Sequence, residues 1–70
     1  MREEINYMYA RFMLVIDHDD KSFVLYMTGN ERSVVANKRF DNEVDFKETI
    51  RSLKRKLQEL NDEIKELKNG

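Results

Sequence analysis

Three carboxylates and an imidazole stand in four consecutive residues, Asp17-His18-Asp19-Asp20, the densest set of titratable groups in the chain. In that composition they could hold a hard cation or exchange protons at neutral pH. Their spacing argues otherwise. Consecutive residues of a tight turn point in divergent directions, no EF-hand spacing follows, and Asp is favoured in turns because its side chain bonds nearby backbone N–H groups. We therefore read 17–20 as a hairpin turn, with His18 retained only as a source of pH sensitivity. There is no cysteine and one histidine, so thiolate metal sites and disulfides are excluded and no cofactor or metal is expected. The hydroxyls of Ser22, Ser33, Ser52, Thr28 and Thr49 stand in no nucleophile motif, and with Gly29 and Gly70 as the only glycines there is no phosphate-cradling loop. The reading is of a protein that is not an enzyme.

Two further groups could contact a macromolecule. Arg51, Lys54, Arg55 and Lys56, with Lys38 and Arg39 upstream, could bind phosphates. In leucine-zipper DNA-binding helices the basic stretch precedes the apolar seam; here Ile50, Leu53 and Leu57 run through it, so the charges read first as a face that sets helix pairing. Tyr7, Tyr9 and Tyr26 are rigid rings with a polar tip, the residue type enriched at protein contacts, and are candidates for partner contact. With Lys and Arg together numbering 13 against 14 Asp and Glu, the net charge of −1 gives no field typical of a non-specific nucleic-acid binder.

These groups must be positioned by a chain of 70 residues, read as one domain. Its dominant pattern is Phe46, Ile50, Leu53, Leu57, Leu60, Ile64 and Leu67, recurring in alternating steps of four and three. An apolar stripe about two-sevenths wide suits a coiled coil better than a helix on a broad core. All seven are assigned to an oligomer interface. A helix over 42–68 is expected, begun by the N-cap candidates Asp41 and Asn42 and by acidic Glu43 and Asp45 at its positive dipole end. Its first turns, through Val44, Phe46 and Ile50, are expected to cover a sheet. The acidic segment 59–66 following the basic 51–56 favours antiparallel pairing of two such helices, with Lys56 beside Glu63 of the other copy.

Ahead of the helix, residues 11–40 read as a three-stranded antiparallel meander. A turn at Asp19-Asp20 opposes Ile16 to Phe23, Leu14 to Leu25 and Phe12 to Met27, gathering six large apolar side chains on one face. A second turn at Gly29-Asn30, of type II′, would set Leu25 opposite Val34 and Phe23 opposite Ala36, adding Val34 to that face. The other face carries Met13, Val15, Val24, Tyr26 and Val35 and is too apolar to be left wholly in water. Residues 1–10 read as an extended arm.

The fold expected is thus α+β, a three-stranded meander followed by one long helix that forms an oligomeric coiled coil. A chain this small gains stability from self-association, with a dimer the first expectation. With no leader-like or membrane-spanning apolar run, the cytoplasm is the expected location and no membrane contact is expected. The function expected is a homo-oligomeric interaction module that binds, blocks or scaffolds another macromolecule, by analogy of size an accessory protein of a phage or mobile element. The alternative is an oligomeric nucleic-acid-binding regulator using Lys38, Arg39 and Arg51 to Lys56.

Overall fold

The computed structural model describes residues 1–69. Four strands, β1 (Arg2–Tyr7), β2 (Phe12–Asp17), β3 (Ser22–Met27) and β4 (Ser33–Arg39), are followed by one helix, α1 (Glu43–Asn69). The strands form one antiparallel sheet in the order β1-β2-β3-β4. The fold is α+β, and the helix lies within a residue of the expected span.

The expected arm is a strand. β1 pairs along its whole length with β2, setting Glu3 opposite Ile16, Ile5 opposite Leu14 and Tyr7 opposite Phe12, so the meander has four strands rather than three. The reason lies in Ile5 and Tyr7, whose alternation supplies the missing quarter of the apolar face. β1 joins β2 through residues 8–11, and β2 joins β3 through residues 18–21. Each loop ends in a left-handed residue, Arg11 at φ 60° and Lys21 at φ 53°. The Arg11 carbonyl then accepts the Thr28 N–H at 2.8 Å and the Lys21 carbonyl accepts the Phe40 N–H at 2.8 Å.

The β2–β3 register is the expected one, with Phe12 opposite Met27, Leu14 opposite Leu25 and Ile16 opposite Phe23. The β3–β4 register is not. Phe23 faces Lys38 and Leu25 faces Ala36, a bulge follows, and Tyr26 then faces Val34. Gly29 has no positive φ, so the expected type II′ turn is not formed and residues 28–32 make a longer connection. Every residue of β4 is exposed. With no buried face to lose, its register is weakly specified by the hydrophobic pattern, and that is where pattern reasoning failed. Val34 is 55% exposed and turned away from the helix-facing side, Met27 is 46% exposed and Val44 63%, so these three are not core residues as expected.

The core lies between the sheet and α1: Tyr7, Leu14, Ile16 and Phe23 from strands, Phe40 from the strand-helix junction, and Phe46, Ile50 and Leu57 from the helix. Phe40 packs against Phe23 at 6.3 Å and Phe46 at 5.8 Å between ring centroids. Asn42 caps the helix, its side-chain oxygen accepting the N–H groups of Val44 at 2.7 Å and Asp45 at 3.2 Å. The helix has 27 residues, about 40 Å at 1.5 Å per residue, and the longest dimension of the molecule is 42 Å. Among the described residues no helix is long and apolar enough to cross a membrane.

Candidate functional site

The turn cluster resolves into separate bonds. The Asp17 carboxylate accepts the backbone N–H groups of Asp19 at 3.1 Å and Asp20 at 3.0 Å, Asp19 accepts from the N-terminal ammonium at 2.5 Å, and Asp20 pairs with Arg39. Each carboxylate serves a different partner, and among the described residues no group of three or more potential metal ligands converges.

His18 leaves the turn and joins a cluster invisible in the linear sequence. Its Nε2 lies 3.0 Å from Glu3 Oε1, and Lys54 Nζ reaches Glu3 Oε2 at 3.1 Å and Oε1 at 3.3 Å. An ionised carboxylate only accepts, so Nε2–H donates to it. The His18 bond, followed by that of Lys54, holds the Glu3 carboxyl below its ordinary value of 4.5. The His18 ring also meets Phe46 edge-on at 5.9 Å. Lys47, Arg51, Lys54, Ile50, Phe46 and His18 line a shallow groove of about 310 Å³. Reading residues 1–10 as an arm hid the cluster; the signal that could have found it was the alternation Glu3, Ile5, Tyr7, which puts Glu3 on the helix-facing side.

The three tyrosines separate. Tyr7 is 3% exposed in the core, where burial raises its hydroxyl pKa, so it is not a surface contact residue. Tyr9, half-buried at the β1–β2 loop, has Lys65 Nζ 5.9 Å from its ring centroid; Tyr26, half-buried on the sheet's other face, has the Arg32 guanidinium at 5.2 Å.

The basic residues do not form one surface. Lys54 is bonded to Glu3, Arg39 to Asp20, and Lys38 sits 4.9 Å over the Phe40 ring, while Arg51, Arg55 and Lys56 are exposed on the helix. At about 100° per residue, Arg51 and Lys56 diverge by roughly 140° around the helix axis.

The seam is divided. Phe46, Ile50 and Leu57 are buried in the chain's own core and Leu53 packs against it, so four of the seven assigned interface residues are already in contact with the sheet. Leu60 remains 39% exposed, Leu67 82%, and Ile64 is half-buried. Asn61 lies one helical turn beyond Leu57. Its side-chain oxygen accepts the N–H groups of Tyr9 at 2.8 Å and Ala10 at 2.9 Å, tying the helix to the tip of the first hairpin. Lys54, Asn61 and Lys65 all reach β1 or its loop, so this flank of the helix is engaged by the sheet. The opposite flank carries Leu53, which packs on the core, and exposed Lys56, Leu60 and Glu63.

Two apolar surfaces are thereby left uncovered by the chain. One is this flank with the helix end and the neighbouring corner of the sheet, Met27 and Ala36. The other is the far face of the sheet, where Met13, Val24 and Tyr26 are half-buried and Val34 exposed around buried Val15. No family model matches the chain, and neither the curated proteins nor the solved structures contain a match to it.

Proposed function

We propose that the chain is a small homo-oligomeric protein-interaction module. The observation that carries this reading is the pair of apolar surfaces that its single helix does not cover. Soluble monomers rarely leave contiguous apolar surface of this kind bare, and here a row of Leu60, Ile64 and Leu67 continues past the last residue that bonds to the sheet. Self-association uses the helix, and the far sheet face with Tyr26 is then the surface offered to another macromolecule. Rigid aromatic and apolar groups at the centre of a flat face, ringed by polar groups such as Asn6, Asn37 and Arg32, suit a protein partner.

Sedimentation equilibrium at micromolar concentration tests the first half: a dimer or larger species is expected, and a single-chain mass overturns it. Leu60→Lys should dissociate the assembly, since it would place a charge in an apolar contact. For the second half, Tyr26→Asp should abolish co-purification of any partner from the native cell while leaving the oligomer intact. A second reading, a nucleic-acid-binding regulator, draws on the Arg51 and Lys47 side chains along the groove beside His18. Titration with generic duplex DNA in rising salt separates it, because phosphate-driven binding weakens steeply with salt and an interaction module binds nothing at the outset.

A further inference from the structure

Resting on the homo-oligomeric reading, we infer that the second copy docks antiparallel along α1, with a two-fold axis at Leu60, and that its helix end fills the bare β3–β4 corner of the first copy's sheet. The argument begins with which flank of the helix is free. Leu53, Leu60 and Leu67 lie seven residues apart and so drift only about 20° per step around the axis. They form a line beside the sheet-facing residues Phe46, Ile50 and Leu57. On one side of this line, Lys54 is bonded to Glu3, and Asn61 to the Tyr9 and Ala10 N–H groups. On the other, Lys56 and Glu63 are exposed, and among the described residues neither is hydrogen-bonded or ion-paired through its side chain.

That asymmetry decides the direction. Parallel helices pair the residues of one flank with those of the opposite flank on the partner, and here the second set is largely taken by the sheet. Antiparallel helices pair like flanks with each other. The free flank then meets the free flank, setting Lys56 of each copy beside Glu63 of the other, two opposite-charge pairs per dimer, with Leu60 on Leu60 and Leu53 on Leu67. In parallel register Lys56 would instead meet the partner's Asn61, which its own hairpin loop has already taken, and Glu63 would meet Lys68.

The same placement accounts for the bare corner. The line of leucines lies on the side of the helix away from the Lys54–Glu3 contact with β1, which in the sheet order β1-β2-β3-β4 is the side of β3 and β4. A two-fold axis perpendicular to the helix pair keeps both sheets on one side of the helix layer. The last turns of each helix, with half-buried Ile64, then pass over the other copy's Met27 and Ala36, which are exposed within their own chain. Each copy supplies the cover that the other lacks.

Single-cysteine variants of the whole chain, oxidised at micromolar concentration after sedimentation of the reduced forms, test the geometry. Leu60→Cys should form an intermolecular disulfide rapidly and at a rate independent of dilution, whereas Leu67→Cys, opposite Leu53 of the partner, should not. Rapid disulfides at both positions mean parallel helices and overturn this inference while leaving the homo-oligomer standing; disulfides at neither in a protein that sediments as a dimer place the contact elsewhere and do the same. A single-chain mass for the unmodified protein removes both. Independently, Lys56→Glu should weaken the dimer about tenfold and Lys56→Glu/Glu63→Lys should recover it to within about threefold, as expected for two partly exposed pairs. Failure of the double variant to recover refutes the Lys56–Glu63 contact.

Discussion

Replacing Asn61 tests how the helix is anchored to the sheet. Its side-chain oxygen accepts two backbone N–H groups, those of Tyr9 and Ala10, at 2.8 and 2.9 Å across 52 and 51 residues of sequence. Asn61→Ala removes the acceptor and leaves both donors facing an apolar methyl. An unpaired, fully buried donor costs about 1–3 kcal/mol. These amides are only partly buried, so water recovers some of that, and a loss of about 1.5–3 kcal/mol for the two together is the working figure. For a domain of this size that lowers the melting temperature by roughly 6–24 °C. Urea denaturation at fixed protein concentration measures it, the concentration being held because association contributes to apparent stability. Asn61→Asp keeps an oxygen that accepts both N–H groups and should lose less than half as much. Gln58→Ala, which removes an exposed bond to Asp62 at 2.9 Å, should fall within about 0.5 kcal/mol. Hydrogen exchange gives the local readout: the Tyr9 and Ala10 amides should lose protection in Asn61→Ala before the β2 amides do. An alanine variant with unchanged stability and protected Tyr9 and Ala10 amides would refute the anchoring role.

Leu14→Ala, at a fully buried position, should cost about 2–5 kcal/mol in chemical denaturation, while Ser33→Ala on exposed β4 should stay within about 0.5 kcal/mol. Similar losses at the two would mean that the buried face is misassigned. Because the Glu3 pKa is lowered on folding, its contribution to stability is complete above 4.5, the ordinary value, and is lost as pH falls through the lower folded value; melting temperature followed from pH 6 to pH 2 should show this acid limb, and Glu3→Gln should flatten it. Lys21→Gly relieves a left-handed backbone at φ 53° and should be neutral to stabilising by up to about 1 kcal/mol, where the same change at Lys47 in the second turn of α1 should destabilise by about 1 kcal/mol.

How much of this was legible in the sequence followed burial. The β2–β3 pairing could be read because Phe12, Leu14, Ile16, Phe23 and Leu25 all belong on one side, and any one-residue slip would put them in water. The helix could be read from its period and its Asn42 cap. β4 carries Val34 and Val35 in a strand with no buried residue, so its register leaves no trace in the pattern. β1 is hard to read because Ile5 and Tyr7 are only two inward apolar residues among polar ones, and Ile5, Met8 and Phe12 mimic a helical face. The Glu3–His18–Lys54 cluster spans 51 residues of sequence and depends on β1 lying beside β2, so losing the strand lost the cluster with it.

The seam shows why a heptad pattern does not by itself name its partner. A helix that meets one neighbour along its length repeats its apolar residues as a coiled coil does, whether the neighbour is another helix or a narrow sheet. Here both demands fall on one stripe. The sheet takes Phe46, Ile50 and Leu57, and Asn61 bonds the tip of its first hairpin, while the leucine line drifts to the edge and continues to Leu67. A helix built only to close this sheet could stop near Asn61. The helix keeps Leu60 and Leu67 in register yet exposed, and charged residues there would have cost nothing in helix propensity, since Lys and Glu are as good helix formers as Leu. Apolar residues retained where the fold does not need them, in line with a free flank whose charges complement themselves under a two-fold rotation, are the physical basis for expecting a second copy there.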